Sequence, residues 1–443
     1  MASAQRKSKL GCDVDGGIMN NVWSLRVLLG ALLIFRAALA GAASESTAPL
    51  TLPEAVKQAL ESNPEIQRLS HKLRAMEAKA KQAPYLEDPE IAFQLGGVPL
   101  SNPTSLNQAD ANLIGIRQKL PFFGKLGLQE KVAIQEAKVT EEELRAKERE
   151  IVSQVKMAYA DLFMAQRAIE IAREQLEIMR AIIGATEARY QVGRVMQQDV
   201  LKALLERSEI MNQLITAEQE RKTAEVKLNV VMNRPPATLI DIPQDVSTPD
   251  VAGGFAGIEE LALANRPELK GAEREIERSE TMYDLAERNR RFPDFMVGWD
   301  YMRMPTEMKK ERYAAMVNIT IPFSPWTAGK RNYEVEEALA EIRAAKAGRE
   351  AMKNMTLREV GELNAKVQAA GKSVELFREG ILPQADLSFR ASLAAYQSGR
   401  VEFIALLEAQ RALREARMGY FKSRVSLMQS VADLERVVGK ELQ

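Results

Sequence analysis

Apolar and polar residues alternate in four short segments of this chain. In the clearest of them, Phe295, Val297, Trp299 and Tyr301 occupy every second position, with Met296, Gly298 and Asp300 between them. Because successive side chains of a strand point to opposite faces, this alternation predicts strands with one apolar face. We expect them at about residues 90–97, 111–121, 294–303 and 312–322.

Each predicted strand is about nine or ten residues long, the length of a tilted transmembrane β-strand. The opposite faces carry small or polar residues, among them Gly298, Asn318 and Thr320. The alternative is a half-buried hairpin of a soluble protein. If the strands cross a membrane, the side chains that face lipid are Phe295, Val297, Trp299, Tyr301, Val317 and Ile319.

The remaining chain is predicted to be mostly helical. Residues 125–190 form a proline-free stretch of 66 residues, which would make a helix about 100 Å long. Residues 329–396 form a similar stretch, in which Pro383 follows Gly380 and predicts a kink. Shorter helices are predicted after each long stretch and before each pair of strands. The predicted fold class is α+β, mostly α, with long antiparallel helical hairpins.

The predicted elements occur twice in the same order. Residues 190–195, Tyr-Gln-Val-Gly-Arg-Val, return 206 residues later as Tyr-Gln-Ser-Gly-Arg-Val at 396–401. A period this long excludes a solenoid repeat. We therefore divide the chain into repeat 1 (44–236), a linker rich in Pro, Gly and Asp (237–257) and repeat 2 (258–443), with helical tips near 190–197 and 396–402.

Residues 1–43 have the features of a signal peptide. Basic residues precede the apolar run 27–35, and Ala38-Leu39-Ala40 forms a small-x-small cleavage site. A membrane anchor is the alternative, but nine apolar residues are too few for a spanning helix. Export of the chain is therefore expected.

Composition narrows the possible functions further. The net charge is zero at a pI near 6.8, so the basic excess of a nucleic-acid-binding protein is missing and no nucleic-acid partner is expected. A single cysteine, Cys12, excludes a disulfide framework.

Four strands are too few to close a sheet within one chain. An unpaired strand edge in hydrocarbon costs several kcal/mol for each unsatisfied backbone group, and about eight strands make the smallest filled barrel. Two copies would give a narrow or plugged barrel, and three copies would give twelve strands with room for a lumen. Long amphipathic helices likewise need neighbours to cover their apolar faces. We therefore predict a homotrimer.

With these features the chain resembles the TolC family of outer-membrane efflux proteins. The resemblance covers about residues 50–440, and it depends on the duplicated order of elements and on the motif Gln118-x-Leu120-Pro121-Phe122-x-Gly124-Lys125. It implies a trimer in which four strands per chain build a 12-stranded transmembrane β-barrel, continued by a periplasmic α-barrel. The Pro-Phe-x-Gly-Lys form is similar to the heavy-metal efflux branch of the family.

The resemblance also implies a function and partners. It implies an outer-membrane exit channel of a tripartite efflux system in a Gram-negative bacterium, which passively conducts metal ions or small toxic compounds. The implied partners are a periplasmic adaptor (membrane fusion) protein, an inner-membrane pump that we expect to be proton-driven, and outer-membrane lipid. Two alternatives stay open: the outer-membrane duct of a type I protein secretion system, and a soluble periplasmic coiled-coil scaffold.

In the family, the two Tyr-x-x-Gly turns form the periplasmic tip, which closes the resting channel and docks the adaptor. A tight turn between helices favours glycine, which tolerates positive φ. The resemblance further implies a bond between Tyr396 and Asp199, and an acidic entrance of which Glu408 remains while Ala405 replaces the second carboxylate. The alternative is that Asp199 and Glu408 are ordinary solvated residues on helix surfaces. The predicted tip residues are Tyr190, Gly193, Arg194, Asp199, Tyr396, Gly399, Arg400 and Glu408.

No enzyme chemistry is predicted. Residues 328–331, Ala-Gly-Lys-Arg, match a phosphate-binding loop poorly, and the single histidine, His71, lies on a charged helix. Met296, Met302 and Met316 fall on the predicted lumen face and permit a soft-metal relay, although most methionines of the chain are packing residues. We predict no catalytic residue, cofactor or resident metal.

Overall fold

The computed structural model describes residues 49–98, 100–246, 257–305 and 310–442. The predicted signal peptide and residues 247–256 of the predicted linker lie outside these ranges. The chain divides into two units, Met1–Leu50 and Thr51–Gln443. All the elements below belong to the second unit.

The two repeats contain the same elements in the same order. Repeat 1 comprises helices α1 (Leu52–Ser62) and α2 (Pro64–Gln82), strands β1 (Glu90–Gly96) and β2 (Ala111–Leu120), and helices α3 (Lys125–Gln191) and α4 (Gln197–Val231). Repeat 2 comprises helices α5 (Ile258–Asn265) and α6 (Pro267–Arg291), strands β3 (Asp294–Met304) and β4 (Lys310–Thr320), and helices α7 (Ala328–Glu375), α8 (Leu382–Gln397) and α9 (Phe403–Val438).

A proline separates the two short helices that open each repeat. Pro64 and Pro267 occupy the first position of the second helix, where a missing N–H removes no hydrogen bond. The preceding residues, Asn63 and Arg266, are extended, with ψ of 125° and 119°, because a following proline disfavours the α region. Each helix pair therefore changes direction at this point.

Two short helices lie along each long one. Helix α3 has 67 residues and is about 100 Å long, and α2 and α4 pack along its opposite halves. At their junction the Nδ2 atom of Asn63 donates to the carbonyl of Val231 over 2.9 Å. In repeat 2, α6 and α9 pack along the second long helix in the same way.

The second long helix is interrupted near its middle. Residues Leu376–Ile381 form a π-helical segment between α7 and α8, directly before Pro383. The extra residue of a π-turn and the missing N–H of proline both break the regular helical hydrogen bonds. The Phe377 ring fills the space over Gly419 of α9, where a Cβ would lie 2.5 Å from two ring carbons. Gly419 therefore permits this packing.

The four strands form one antiparallel sheet in the order β1-β2-β3-β4. Its register aligns Phe93, Ile114, Tyr301 and Tyr313 across the four strands, so that a continuous apolar face results. Strand β4 begins and ends two residues before the predicted span. Its end lies before Pro322, which has no N–H for a strand ladder. In the single chain, β1 and β4 are the edges of the sheet.

The helical part has its largest described core near the two tips. This core joins α3, α4, α8 and α9 through Met179, Ile183, Ile210, Phe389 and Leu406. None of the described helices combines the length and the apolarity that a bilayer-spanning helix needs.

Candidate functional site: the two helical tips

Two closely similar turns form the ends of the long helical hairpins. Gly193 and Gly399 have φ of 69° and 76°, a region in which a side chain would be strained. The N–H of Gly193 donates to the carbonyl of Tyr190 over 2.9 Å, and the N–H of Gly399 donates to that of Tyr396 over 3.0 Å. The two turns thus present the same backbone shape from different helices.

The two tip tyrosines have different surroundings. The side chain of Tyr396 is buried, with 2% exposure, whereas that of Tyr190 is 45% exposed. The hydroxyl of Tyr396 lies 3.2 Å from the Oγ1 atom of Thr186 on α3. The guanidinium of Arg189 lies 4.5 Å from the centre of the Tyr396 ring and donates to the carbonyl of Gln397 over 2.6 Å. The second tip is therefore fastened to the first long helix.

The structure does not bring Tyr396 and Asp199 into the bond that the resemblance implied. Among the described residues, the side-chain hydrogen bond of Tyr396 is to Thr186. Asp199 lies half-buried in the first turn of α4, and its backbone N–H donates to the carbonyl of Met196. The reason is the direction of the Tyr396 ring, which points toward α3 and not toward the start of α4.

A buried carboxylate joins the two short helices two to three turns from the tips. Glu206 of α4 is fully buried, and its Oε1 atom accepts a hydrogen bond of 2.6 Å from Nη1 of Arg414 on α9. Its Oε2 atom accepts from Nε of Arg411 over 2.7 Å and from Nη2 of the same residue. This cluster was not predicted, because 206 residues later the second repeat has an alanine, Ala412, in place of the glutamate.

Opposing effects set the pKa of Glu206. Burial alone would raise it, but the hydrogen bonds and positive charges of Arg411 and Arg414 outweigh the burial, and the pKa is lowered. The carboxylate is therefore charged at neutral pH and binds both arginines.

The other predicted tip residues lie at the surface. Arg194, Arg400 and Glu408 are exposed, and the described residues form no ion pair with Glu408. Arg194 and Arg400 are placed by the turns, since their N–H groups donate to the carbonyls of Arg189 and Ala395. These charges are free to meet a partner or a passing ion.

The predicted lipid-facing residues share one face of the sheet. Phe295 lies opposite Ile319, Val297 opposite Val317, and Tyr301 opposite Tyr313. Trp299 is more than half exposed, and Phe295 and Tyr301 are half-buried. The other face carries Asp300, Arg117, Met296, Asn318 and Thr320.

The glycine-lysine motif joins the sheet to the helices. Lys125 is buried at the start of α3, and its Nζ atom donates to the carbonyl of Phe292 and to Oδ1 of Asp294, both over 2.9 Å. The same oxygen accepts from the N–H of Phe122 over 3.0 Å. Gly124, with φ of 83°, forms the turn between them. The sequence motif indicated this place, but its partner Asp294 was not predicted.

Within the described part of the chain, no group of three His, Cys, Asp or Glu side chains is placed to hold a metal ion. On the polar face of the sheet, Met296 and Met316 lie on neighbouring strands, displaced by two residues, while Met302 lies farther along β3. The three methionines therefore do not form one site within a chain.

The model of the outer membrane efflux protein family matches residues 55–234 and 259–440. The two matched segments follow the two repeats and together make up more than half of the chain. One curated relative is the cobalt-zinc-cadmium resistance protein CzcC of Cupriavidus metallidurans, which is 22% identical over 178 residues. That alignment covers 40% of this chain and 41% of CzcC, so the chain spans about two-fifths of the length of this relative.

The fold is similar to those of solved channel structures. The outer-membrane channel OprN is 18% identical, with a TM-score of 0.74 over 88% of this chain and 89% of that one. The outer membrane protein VceC from Vibrio cholerae is 17% identical, with a TM-score of 0.74 over 88% and 97%. These structures confirm the predicted fold class, a mostly helical protein that contributes a small antiparallel sheet to a β-barrel.

Proposed function

This chain belongs to the outer membrane efflux protein family, and on that premise we propose that it is the exit channel of a tripartite efflux system that exports metal ions. Members of the family are passive channels of the outer membrane and not enzymes. The chain accordingly lies in the outer membrane with a large periplasmic part. The proposal concerns its cargo, its partners and the residues that it uses.

The observation that carries the proposal is the combination of one two-faced sheet with helices about 100 Å long. The apolar face of Ile116, Trp299 and Val317 suits hydrocarbon, and the face of Arg117, Asp300 and Asn318 suits a water-filled lumen. Helix α3 is long enough to carry the conduit far beyond the membrane. This geometry supports a duct that begins in the periplasm, at the far ends of the helices, and opens on the outer side of the membrane.

The partners are proposed to meet the duct at its tips. The exposed side chains of Tyr190, Arg194 and Arg400 surround two turns of the same shape, which offers a repeated surface to a periplasmic adaptor. The adaptor in turn would connect the duct to an inner-membrane pump, which we expect to be proton-driven. No energy source is needed in the duct itself.

Metal ions are the proposed cargo. Support comes from the similarity to CzcC, whose name describes resistance to cobalt, zinc and cadmium. Glu408 adds a chemical reason, because three copies of an exposed carboxylate near the entrance would attract cations.

Deletion of the gene tests the cargo. The deletion strain should become sensitive to Co²⁺, Zn²⁺ or Cd²⁺ and should regain tolerance when the intact chain is supplied. Glu408→Gln should restore less metal tolerance than the intact chain, and the matched surface variant Glu415→Gln should restore it fully, at equal amounts of trimer in the outer membrane. Unchanged metal tolerance together with sensitivity to dyes and detergents would replace metal ions by organic compounds, and loss of a secreted protein would replace efflux by secretion.

A further inference from the structure

An apolar pocket lies where the sheet meets the helices. It has a volume of about 400 Å³, which is within the range of small-molecule sites. Its walls come from the segment before β1, the turn between β2 and α3, and the starts of α3 and β3, and they include Leu86, Phe122, Phe123, Leu126, Phe295 and Val297. Apolar side chains thus surround a space that suits a hydrocarbon chain.

The pocket continues the apolar face of the sheet. Phe295 and Val297 share this face with Trp299, because alternate residues of a strand point the same way. Strand β2 ends beside the pocket and α3 begins there, so the pocket lies at the end of the sheet from which the long helices extend. These helices belong to the large periplasmic part of the channel. The pocket therefore lies at the level of the periplasmic leaflet of the outer membrane.

Two exposed aromatic rings lie at the same end of the sheet. Phe123 is 86% exposed beside the pocket, and Trp326, in the equivalent turn between β4 and α7, is 85% exposed. Outer-membrane barrels carry girdles of aromatic residues where their apolar band meets the lipid headgroups. These rings therefore indicate that the pocket opens at the depth of the headgroups.

A guanidinium lies at the rim of the pocket. Arg288, in the last turn of α6, is half-buried, and its Nη1 atom donates to the carbonyl of Phe123 over 3.2 Å. Gly124 makes room for this contact, because a Cβ there would lie 1.9 Å from the same nitrogen. The ring centre of Phe292 lies 5.7 Å from Cζ of Arg288. Arg288 is thus held in place beside the apolar walls.

Within the described residues, no carboxylate forms an ion pair with Arg288. The acidic residue beside it, Glu287, is paired with Arg290 and Arg291 at 2.9 Å each. One N–H of Arg288 donates to Phe123, and a guanidinium has five, so others can donate to an anion. Arginine suits phosphate in particular, because its planar fork matches two phosphate oxygens. An apolar pocket with such a group at its rim has the chemistry of a phospholipid site.

We propose that each chain binds one phospholipid of the periplasmic leaflet in this pocket. An acyl chain lies against Leu86, Phe123 and Phe295, and the lipid phosphate accepts hydrogen bonds from Arg288. The inference uses the outer-membrane position of the proposed function but does not depend on the cargo, because the pocket is on the opposite face of the sheet from Asn318. The bound lipid fixes the depth of the duct in the membrane.

Native mass spectrometry of the lipid-stripped trimer tests the site. Dioleoylphosphatidylglycerol is added in mild detergent, and the bound lipids are counted from the mass of the trimer. The parent should saturate at one tightly bound lipid per chain. Arg288→Gln should weaken binding about tenfold, because it removes the charge that the phosphate meets. Glycerol 3-phosphate, which has the phosphate without acyl chains, should not displace the lipid.

Matched controls separate the site from a general attraction to the membrane. Arg291→Gln removes a cation from the same end of α6, where its side chain is 65% exposed, and it should bind lipid as the parent does. Phe123→Ser removes an exposed wall of the pocket without altering Arg288, and it should weaken binding about fivefold. Its control, Tyr333→Ser, removes a ring that is 72% exposed on α7, outside the pocket, and should have no effect.

Equal weakening by Arg288→Gln and Arg291→Gln would reduce the effect to general surface charge and overturn the site. Displacement of the lipid by glycerol 3-phosphate would overturn the role of the acyl chain. If Arg288→Gln does not assemble, Phe123→Ser decides, and unchanged binding by that variant overturns the proposal. An intact trimer that holds no lipid would also overturn it and leave side chains of a neighbouring chain as the occupant of the pocket. These results leave the proposed function intact, since metal tolerance of the deletion strain tests that function separately.

Discussion

At the scale of single residues, a few buried polar contacts hold the two tips together. Glu206 binds Arg411 and Arg414, and Tyr396 bonds with Thr186. Both contacts join repeat 1 to repeat 2. Opening at the tips, which the family resemblance implies, would therefore strain or break them.

Glu206→Ala should lower the free energy of unfolding by about 3 to 5 kcal/mol, because it leaves Arg414 buried without its partner. The matched control is Glu209→Ala. Glu209 is about half exposed and 3.6 Å from Arg411, so its loss should cost less than about 1 kcal/mol. Urea unfolding at pH 7 measures both values. Equal losses would show that the buried cluster stabilises the fold no more than the half-exposed Glu209 does.

The cluster also predicts a pH dependence. The folded-state pKa of Glu206 is lowered by Arg411 and Arg414, so its contribution is present above the unfolded pKa of about 4.3 and disappears as the pH falls through the lower folded value. The parent should therefore lose more stability than Glu206→Gln when the pH is lowered below about 4.3. Thermal unfolding at several pH values measures the stability of both proteins. Equal losses of stability at low pH would contradict this assignment.

Tyr396→Phe and Thr186→Val should each raise the open probability of the channel, because each removes the same hydrogen bond, worth about 0.5 to 1.5 kcal/mol. The double variant should open no more than either single variant. Asp199→Ala is the control and should add independently to Tyr396→Phe, since the structure does not join these side chains. Planar-bilayer recordings compare these five variants with the parent. If Tyr396→Phe is non-additive with Asp199→Ala but additive with Thr186→Val, the contact implied by the family resemblance is correct instead.

At the scale of elements, the sequence predicted where strands and helices form better than it predicted which side chains contact each other. Alternation of Phe295, Val297, Trp299 and Tyr301 predicts a strand because a strand has a period of two residues. The partner of Tyr396 was not predictable in this way. It depends on the rotation of α8 against α3, which brings Thr186 and not Asp199 to the hydroxyl. Likewise, the motif at Lys125 gave no indication that Asp294, 169 residues later, would receive its ammonium group.

The two faces of β4 should respond differently to charge. Val317→Arg places a cation on the apolar face and should hinder assembly by about 2 to 4 kcal/mol, whereas Asn318→Arg places it on the polar face and should be tolerated. The adjacent positions make the pair a matched comparison. The yield of assembled protein in outer-membrane fractions measures the effect, and equal yields would show that the faces are assigned wrongly.

At the scale of the whole molecule, duplication explains most of the architecture. Each repeat supplies two strands and one long helical hairpin. Within the described residues, β1 and β4 are the edges of the sheet, and side chains of α4 such as Leu201 and Ile215 are exposed. The fold class was predictable because these large elements have strong patterns and because the family is known. Cargo was not predictable, since a passive duct has few side chains dedicated to a single substrate.

The central claim is that three copies of this chain form one outer-membrane duct. The most direct measurement is the mass of the protein extracted from isolated outer membranes in mild detergent, determined by light scattering with the detergent contribution subtracted. We expect three times the mass of the processed chain. A stable folded monomer recovered from the soluble periplasmic fraction would contradict the claim, because neither the sheet nor the ring of helices could then be closed.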